Sequence, residues 1–424
     1  MAKTRIVAGI ELGSSKIATL ISQVNVDPVT NETVVNIIGV ASVESKGIKK
    51  GQIVNIEEAV EATIVSVEAA ERMAGYNLDS AYISIGGAHM HSQNSHGVVA
   101  ISDPNGEINT EDVDRVIEAA SAISLPQSRE VIHVLPREYI VDGESGVRDP
   151  IGMSGVRLEV DTHIITAASP AVKNITKAVG EVGVNIEGLV FSAYAASETV
   201  LTSTEKELGC VLIDIGGGTT SIAAFIDGAL SYSGVIPIGA KNVTNDLAIG
   251  LRVSLESAEK IKYALSLDAK KKAKSKDEPV DDFDLTALGI TETKTVSKKT
   301  LVEGIIRPRL NEIFTMVKIE LDRAGVANRI PSGAVITGGG AETVGIVDSA
   351  RRTLALPVRI GMPSGVGGLI DDVITPAFSV CVGLILCGLN MEPKENLNSF
   401  SKKFKLPGVG VFGKLIDSLK NLLP

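Results

Sequence analysis

The run Ile213–Ala224, IDIGGGTTSIAA, constrains this chain more than any other stretch. Two apolar runs rich in β-branched residues flank a carboxylate, three consecutive glycines and two threonines, a pattern that predicts two strands joined by a tight turn. Gly216, Gly217 and Gly218 admit positive φ and close backbone approach, so successive amide N–H groups can converge on phosphate oxygens with no Cβ in the way. Thr219 and Thr220 add hydroxyls, and Asp214, closing its strand, can hold Mg²⁺ through water. Alone, a GGG run describes an ordinary turn equally well. A second copy changes that reading. In IVAGIELGSSKIATLIS, residues Glu11, Gly13, Ser14 and Ser15 answer Asp214, Gly216, Gly218 and Thr219, and Lys16 follows within reach of a phosphate. A third cluster, Gly338, Gly339 and Gly340, again follows an apolar strand. Internal duplication signals two lobes built alike, and two such hairpins with a third glycine turn describe a cleft between them. Neither the dinucleotide fingerprint nor the P-loop is present. Ser221 stands where the last glycine of the former would fall, and Gly413-Lys414 is followed by Leu415.

At 424 residues the chain exceeds what one core usually carries, so several subdomains are expected. Tryptophan is absent, leaving Val, Ile, Leu and Ala to build the core. Scarce aromatics and a net charge of −10 argue against a nucleic-acid surface, which needs stacking rings or a basic face. Cys210, Cys381 and Cys387 sit in apolar runs without metal-ligand spacing and read as core thiols of a reducing compartment. MAKTRIVAGIELG reaches Glu11 before a signal-peptide core could form, which predicts a cytoplasmic protein. The longest apolar stretch, Ala377–Leu389, has 13 residues, short of the roughly 20 that span a bilayer. A buried helix is expected there, with Thr375 as its cap and Pro376 opening it.

Helical spacing over Ile56–Ala74, with Glu57, Glu58 and Glu61 in its first turns, predicts a helix whose dipole those carboxylates complement. From Ala81 the texture becomes that of a small α+β module, including a helix over Asn109–Ser124 that begins on an Asn109/Asp112 capping box. Pro308 predicts a new helix starting around it. After Asn390 the composition turns polar. VFGKLIDSLKNLL follows, and at about 100° per residue Val411, Phe412, Leu415, Ile416, Leu419, Leu422 and Leu423 share an arc of roughly 140°. From Lys394 onward six lysines oppose Glu395 and Asp417, 6 − 2 = +4. Amphipathicity alone fits a core or partner helix too. The local basic charge, with Lys414 and Lys420 on the polar side, favours a helix lying on an anionic membrane surface.

This layout resembles the actin, heat-shock chaperone and sugar-kinase superfamily: an α/β, actin-like (ribonuclease H-like) two-lobed ATP-binding fold with a duplicated core. Within it, HVLPREYIVDGESGVRDPIGMSGVRLEVDTHIIT and the amphipathic tail resemble the FtsA family of bacterial cell-division proteins. The resemblance runs from the first strand to the last helix. It divides the chain into first-lobe segments 1–82, 162–198 and 357–390, an inserted α+β subdomain 83–161, and second-lobe segments 199–240 and 301–356. A smaller second-lobe subdomain covers 241–300, a linker 391–409 and the membrane helix 410–424. It further implies ATP with Mg²⁺ as cofactors, the metal held through water by Glu11 and Asp214. The adenosine would lie beside Glu259, Lys262 and Gly338–Gly340, although Glu259 and Lys262 also have the spacing of an ordinary surface ion pair.

Implied partners are the C-terminal tail of the tubulin-like FtsZ at Arg307 and Arg309, further copies of the chain in an actin-like filament, and other division proteins at the insert. The implied location is the cytoplasmic face of the membrane at the division site. Related ATPases carry a Gln or Glu where Phe191 stands, while Glu187 and Glu198 lie a turn away. Without a positioned base or orienting group, hydrolysis loses a factor of roughly 10² to 10⁴, so slow or absent turnover is expected. A pilus or secretion scaffold and a soluble sugar or small-acid kinase are the rival readings on the same fold.

Overall fold

The computed structural model describes residues 5–26, 33–103, 105–272, 281–290, 295–369 and 373–391. The linker and amphipathic-helix assignments over 392–424, and all nine membrane-facing residues among them, lie outside these.

The duplication legible in the sequence is a duplication of topology. In the first lobe, β1 (Arg5–Leu12), β2 (Lys16–Val26) and β3 (Thr33–Glu44) form an antiparallel meander. Two strands continue the sheet in parallel beyond β1: β4 (Ser80–Ile85) and then β9 (Asn185–Phe191). In the second lobe β10 (Cys210–Ile215), β11 (Thr220–Ile226) and β12 (Ala229–Ile236) form the meander. Here β13 (Ala334–Thr337) and β14 (Val358–Ile360) run parallel beyond β10. Both sheets thus read third, second, first, fourth, fifth, and the first adds a short edge strand at Gly367–Gly368. In the second lobe β10 and β11 are buried throughout, which is why they read as continuous apolar runs rather than alternating ones.

Helix α1 (Ile56–Ala74) occupies the predicted range. Asn55 caps its start, and Gly75, at φ 65°, ends it in the left-handed region where a Cβ would be unfavourable. The inserted module lies between β4 and β9 and contains β5 (His91–Ala100), α2 (Thr110–Ser121), β6 (Arg129–Val141), β7 (Glu144–Val147) and β8 (Arg157–Ala168). Its sheet runs β5-β8-β6-β7, and α2 seals a separate core of Ile108, Val116, Ala120, Tyr139, Val141, Leu158 and Val160. The predicted capping box is present: Asn109 accepts from the Asp112 amide at 3.0 Å, and Asp112 accepts from the Asn109 amide at 3.3 Å. Asn109→Ala should therefore lower the insert's stability by about 1 kcal/mol, measurable as faster amide exchange in α2 with exchange in α1 unchanged.

The insert boundary at 161 is corrected. β8 continues through Thr162 to Ala168 within the insert's sheet, and what falls at Asp161/Thr162 is a register shift against β6. At the other end, β4 belongs to the first lobe as far as Ile85, beyond position 83.

Helix α3 (Ser169–Val182) leads to β9, and α4 (Ser192–Val200) carries the chain to the second lobe. There α5 (Ala240–Leu251) and α6 (Leu255–Lys272) precede α7 (Arg307–Arg323). Pro308 sits in the first turn of α7, as predicted, behind a π-helical turn at Thr300–Ile306. Helix α8 (Ile346–Leu354) separates β13 from β14. The apolar stretch becomes α9 (Ser379–Asn390), buried along most of its length, preceded by a 3₁₀ turn at Pro376–Phe378. Thr375 makes no side-chain cap there; its carbonyl accepts from the Phe378 amide instead. Among the described residues no helix is long and apolar enough to cross a membrane.

Candidate functional site

The two glycine hairpins meet face to face at one cleft. A Cβ on Gly217 would lie 2.7 Å from Ser15 Cβ, and one on Gly218 would lie 3.0 Å from Ser14 Cβ, so these glycines allow an approach that no side chain would. The Ser14 hydroxyl accepts from the Gly51 amide at 2.9 Å, and Lys241 Nζ donates to the Ser14 carbonyl at 2.8 Å, fixing the first hairpin against its neighbours. The second hairpin is tied by the start of α5: the Ala240 and Lys241 amides donate to the Gly216 and Gly217 carbonyls, each at 2.9 Å. Among the described residues, the amides of Ser14, Ser15, Gly217 and Gly218 donate to no other protein group. Ser14, Ser15 and Gly217 line the cleft, whereas Gly218 does not and instead allows the close approach to Ser14; unpaired amides on such a lining are what an anion nest requires.

The cleft floor is charged. Glu11 and Asp214 end β1 and β10 and both line it. Lys16 Nζ donates to Glu11 Oε2 at 2.9 Å and sits 4.3 Å from the centre of the Phe378 ring. Burial alone would push the Lys16 ammonium down, but the charge and hydrogen bond of Glu11, together with Cys381 and Asp214, outweigh it in sum and hold the group above its usual value. Asp214 is buried and is pushed up to about 7, by burial first and then by Glu11, with Lys16 partly offsetting both. Two carboxylates held together in a dry site match the donor set for Mg²⁺, which takes one or two carboxylates and completes its shell with water and phosphate oxygens. Among the described residues no group of three or more His, Cys, Asp or Glu side chains could hold a metal, so any cation here would rest on this pair.

Beside the floor, a second recess is lined by Ser15, Gly217, Lys241, Glu259, Lys262, Tyr263, Gly339 and Gly340. The glycine turn Gly338–Gly340, Glu259 and Lys262 are therefore brought to the same place as the hairpins. Lys262 Nζ donates to Glu259 Oε2 at 2.8 Å and to Thr244 Oγ1 at 2.9 Å, which locks α6 onto α5. Glu259 and Lys262 form the ion pair that their spacing suggests, and both line the recess.

Thr220 is the correction at the cleft. Its side chain is fully buried and its hydroxyl donates to the Ile238 carbonyl at 2.9 Å. Ser221, one residue on, lines the cleft instead. The sequence reading also missed Ser84, Ser192 and Gly51 on the floor and Lys241 and Tyr263 on the recess. Lys241 follows directly on the Gly239-Ala240 start of α5, a signal that the helix begins at the glycine loop.

Of the groups weighed as hydrolytic assistants, Phe191 is buried with its amide donating to His133 Nε2 at 3.0 Å. Glu187 accepts from the Ser80 hydroxyl at 2.5 Å, and Glu198 pairs with Lys206 at 2.8 Å. The carboxylates lining the cleft floor are Glu11 and Asp214 alone among the described residues. Arg309 is engaged within the chain: its guanidinium grips Asp246 of α5 in a two-point pair at 2.6 and 2.9 Å and also holds Glu312. Arg307 pairs with Glu303. Acidic side chains of this chain therefore already occupy both arginines.

Comparison with known proteins places this geometry. The family model described as "SHS2 domain inserted in FTSA" matches residues 87–166, and "Cell division protein FtsA" matches residues 211–383. The chain is 39% identical over 388 residues to the cell division protein FtsA of Pseudomonas aeruginosa, covering 92% of this chain and 90% of that one. It is 36% identical over 423 residues to FtsA of Escherichia coli strain K12, covering 98% and 97%. The chain belongs to the FtsA cell-division protein family. Its insert is the SHS2 domain of that family, which agrees with β8 staying inside the insert up to position 166. Among solved structures, the PilM–PilN type IV pilus biogenesis complex aligns with TM-score 0.62 at 17% identity, covering 90% of this chain and 98% of that one. MreB5 of Spiroplasma citri bound to AMPPNP aligns with TM-score 0.52 at 13% identity, covering 92% and 97%. The FtsA-family chain thus has the actin-like ATPase fold.

Proposed function

We propose that this FtsA-family protein binds MgATP in the interlobe cleft and, in that state, assembles at the cytoplasmic face of the membrane, where it tethers FtsZ filaments and recruits later division proteins. The observation that carries the nucleotide reading is the meeting of the unpaired amides of Ser14, Ser15 and Gly217 with the Glu11–Asp214 pair and Lys16. The amides and Lys16 would hold phosphate oxygens, the two carboxylates a hydrated Mg²⁺, and the recess at Glu259, Lys262 and Gly338–Gly340 the adenosine. MreB5, which shares the fold, is described with AMPPNP and with ADP. With no third carboxylate on the cleft floor among the described residues, slow turnover is expected and the nucleotide acts on conformation, since a ligand shifts states only by differential affinity.

The membrane contact is assigned to Val411, Phe412, Leu415, Ile416, Leu419, Leu422 and Leu423, with Lys414 and Lys420 beside them. One such helix binds reversibly, and many joined in a polymer bind firmly through effective concentration. An FtsZ tail would meet the first turn of α7, where its acidic groups compete with Glu303 for Arg307 and with Asp246 for Arg309. The deciding test is co-sedimentation of the full chain and of a chain truncated after Asn390 with anionic and neutral liposomes in MgATP. Capture that needs both the tail and anionic lipid is expected. If neither form is captured, the tether fails and substrate-dependent ADP release should be sought instead.

A further inference from the structure

A groove of about 400 Å³ lies away from the nucleotide cleft, where the insert, the connecting helix α4 and the second lobe come together. The insert contributes Pro136, Arg137 and Tyr139 from β6, α4 contributes Tyr194, and the second lobe contributes Phe225 and Leu230. Its volume is that of a small-molecule site. Its lining mixes these rings and apolar side chains with charged groups, and the charges are matched with one exception. Glu198 pairs with Lys206 at 2.8 Å, Arg148 pairs with Glu207, and Asp227 pairs with Arg329 at 3.0 Å. Arg137 has no hydrogen bond or ion pair among the described residues, and its Nε is buried without an acceptor.

A guanidinium N–H taken out of water with no acceptor is an unfavourable arrangement, and such groups in folded proteins call for a missing partner. With Nε closed off from the groove, the two terminal Nη groups are the side of the fork left for a ligand, and they match planar or tetrahedral oxyanions by parallel bonds. Tyr139, Tyr194 and Phe225 also line the groove, Phe225 with Lys206 Nζ 5.1 Å from its ring centre, and these ring surfaces suit a flat apolar body attached to that oxyanion. We infer that this groove binds a small carboxylate or phosphate carried on an aromatic or apolar group, with Arg137 as its anchor. Because the groove walls come from the insert, the connecting helix and the second lobe, such a ligand would fix the insert relative to the lobes. Occupancy would then influence whatever docks on the insert.

The test uses the full chain with its nucleotide cleft saturated by MgATP, so that phosphate-bearing probes report on the groove. Phenyl phosphate and phenylacetate are titrated by calorimetry and ligand-observed NMR, with benzyl alcohol and benzylamine as neutral and cationic controls. Wild-type protein should bind both anions and neither control. Arg137→Gln should weaken the anions at least tenfold with MgATP affinity unchanged, and Arg137→Lys should fall between. In ¹⁵N-arginine-labelled wild-type protein, one Nε–H resonance should shift on adding phenyl phosphate and be missing in the Lys variant, a readout that does not need the Gln variant to fold. Binding of benzyl alcohol as tight as that of the anions, or anion affinity unchanged in Arg137→Gln, would overturn the assignment. So would the absence of anion binding by the wild-type chain.

Discussion

Replacing Asp214 with asparagine is expected to stabilise the ligand-free protein at pH 8 and to abolish its stabilisation by MgATP. The two effects have one origin. Asp214 is only 7% exposed at the end of β10, and burial followed by the Glu11 charge pushes its carboxyl from 3.8 up to about 7. The folded chain therefore keeps a proton that the unfolded chain loses. The contribution of Asp214 to stability is full below pH 3.8 and declines as pH rises towards 7, by roughly 1.4 kcal/mol per pH unit over that window. Asparagine has the same shape and no charge, so the variant should lack this slope and gain on the order of 2 to 4 kcal/mol at pH 8.

A divalent cation between Glu11 and Asp214 reverses the sign for the wild type, because it favours the charged pair that burial opposes. At a thousandfold excess over Kd, MgATP should then stabilise the wild type by roughly 4 kcal/mol, and the variant by much less. Thermal melts from pH 5 to 9, with and without MgATP, check both halves. Parallel pH profiles for the two proteins would show that another group titrates, and a full MgATP shift in the variant would remove Asp214 from the metal site.

The fold was readable because glycines and carboxylates at strand ends leave few choices. A run such as IDIGGG must turn after Ile215, so the carboxylate of Asp214 arrives at the hairpin tip whatever the rest of the chain does. The same holds for Glu11, and the two copies then require lobes of equal topology. Thr220 was misassigned because hairpin parity was not followed through. Ile215 pairs with Thr220 and Asp214 pairs with Ser221, and directly paired antiparallel residues share a face. The face that presents Asp214 to the cleft therefore presents Ser221 and turns Thr220 away. That signal was present in the sequence.

Other features were not there to be read. Nothing local to Arg309 announces Asp246, which lies 63 residues earlier and meets it only when α7 packs on α5. The insert boundary was misplaced for a different reason: the extra residue of the register shift at Asp161/Thr162 is Arg137 in β6, while β8 runs on without interruption against β5, so nothing local to position 161 marks or excludes a strand end.

Gly383→Ala is expected to be among the most damaging single-methyl additions in the chain. Gly383 lies in α9 where it crosses α4, and a Cβ there would sit 1.9 Å from the Ala195 carbonyl oxygen, 2.3 Å from its carbon and 3.0 Å from the Ala196 nitrogen. All three are backbone atoms of a buried helix, so no rotamer change can relieve the overlap and the helices must separate. Neither can move freely. On its other side α9 is seated on the first-lobe sheet, where a Cβ on Gly388 would fall 2.4 Å from the Tyr82 ring and one on Gly9 would fall 2.8 Å from Leu384 Cβ. Overpacking a core usually costs about 1 to 3 kcal/mol, and a clash held from both sides belongs at or above the top of that range.

Gly180→Ala supplies the contrast. That glycine is exposed in α3 with nothing within 4 Å of its would-be Cβ, so the methyl should stabilise the helix by roughly 0.5 to 1 kcal/mol. Urea midpoints of the two variants should therefore move in opposite directions. Because α4 carries the chain from β9 to the second lobe, prying α9 from it should also part the hairpins, which touch at Gly217 and Ser15. Folded Gly383→Ala protein should bind MgATP more weakly although no cleft residue has changed. A variant with the wild-type midpoint would mean that the two helices slide apart at little cost, and the crossing could not then be what holds the lobes in register.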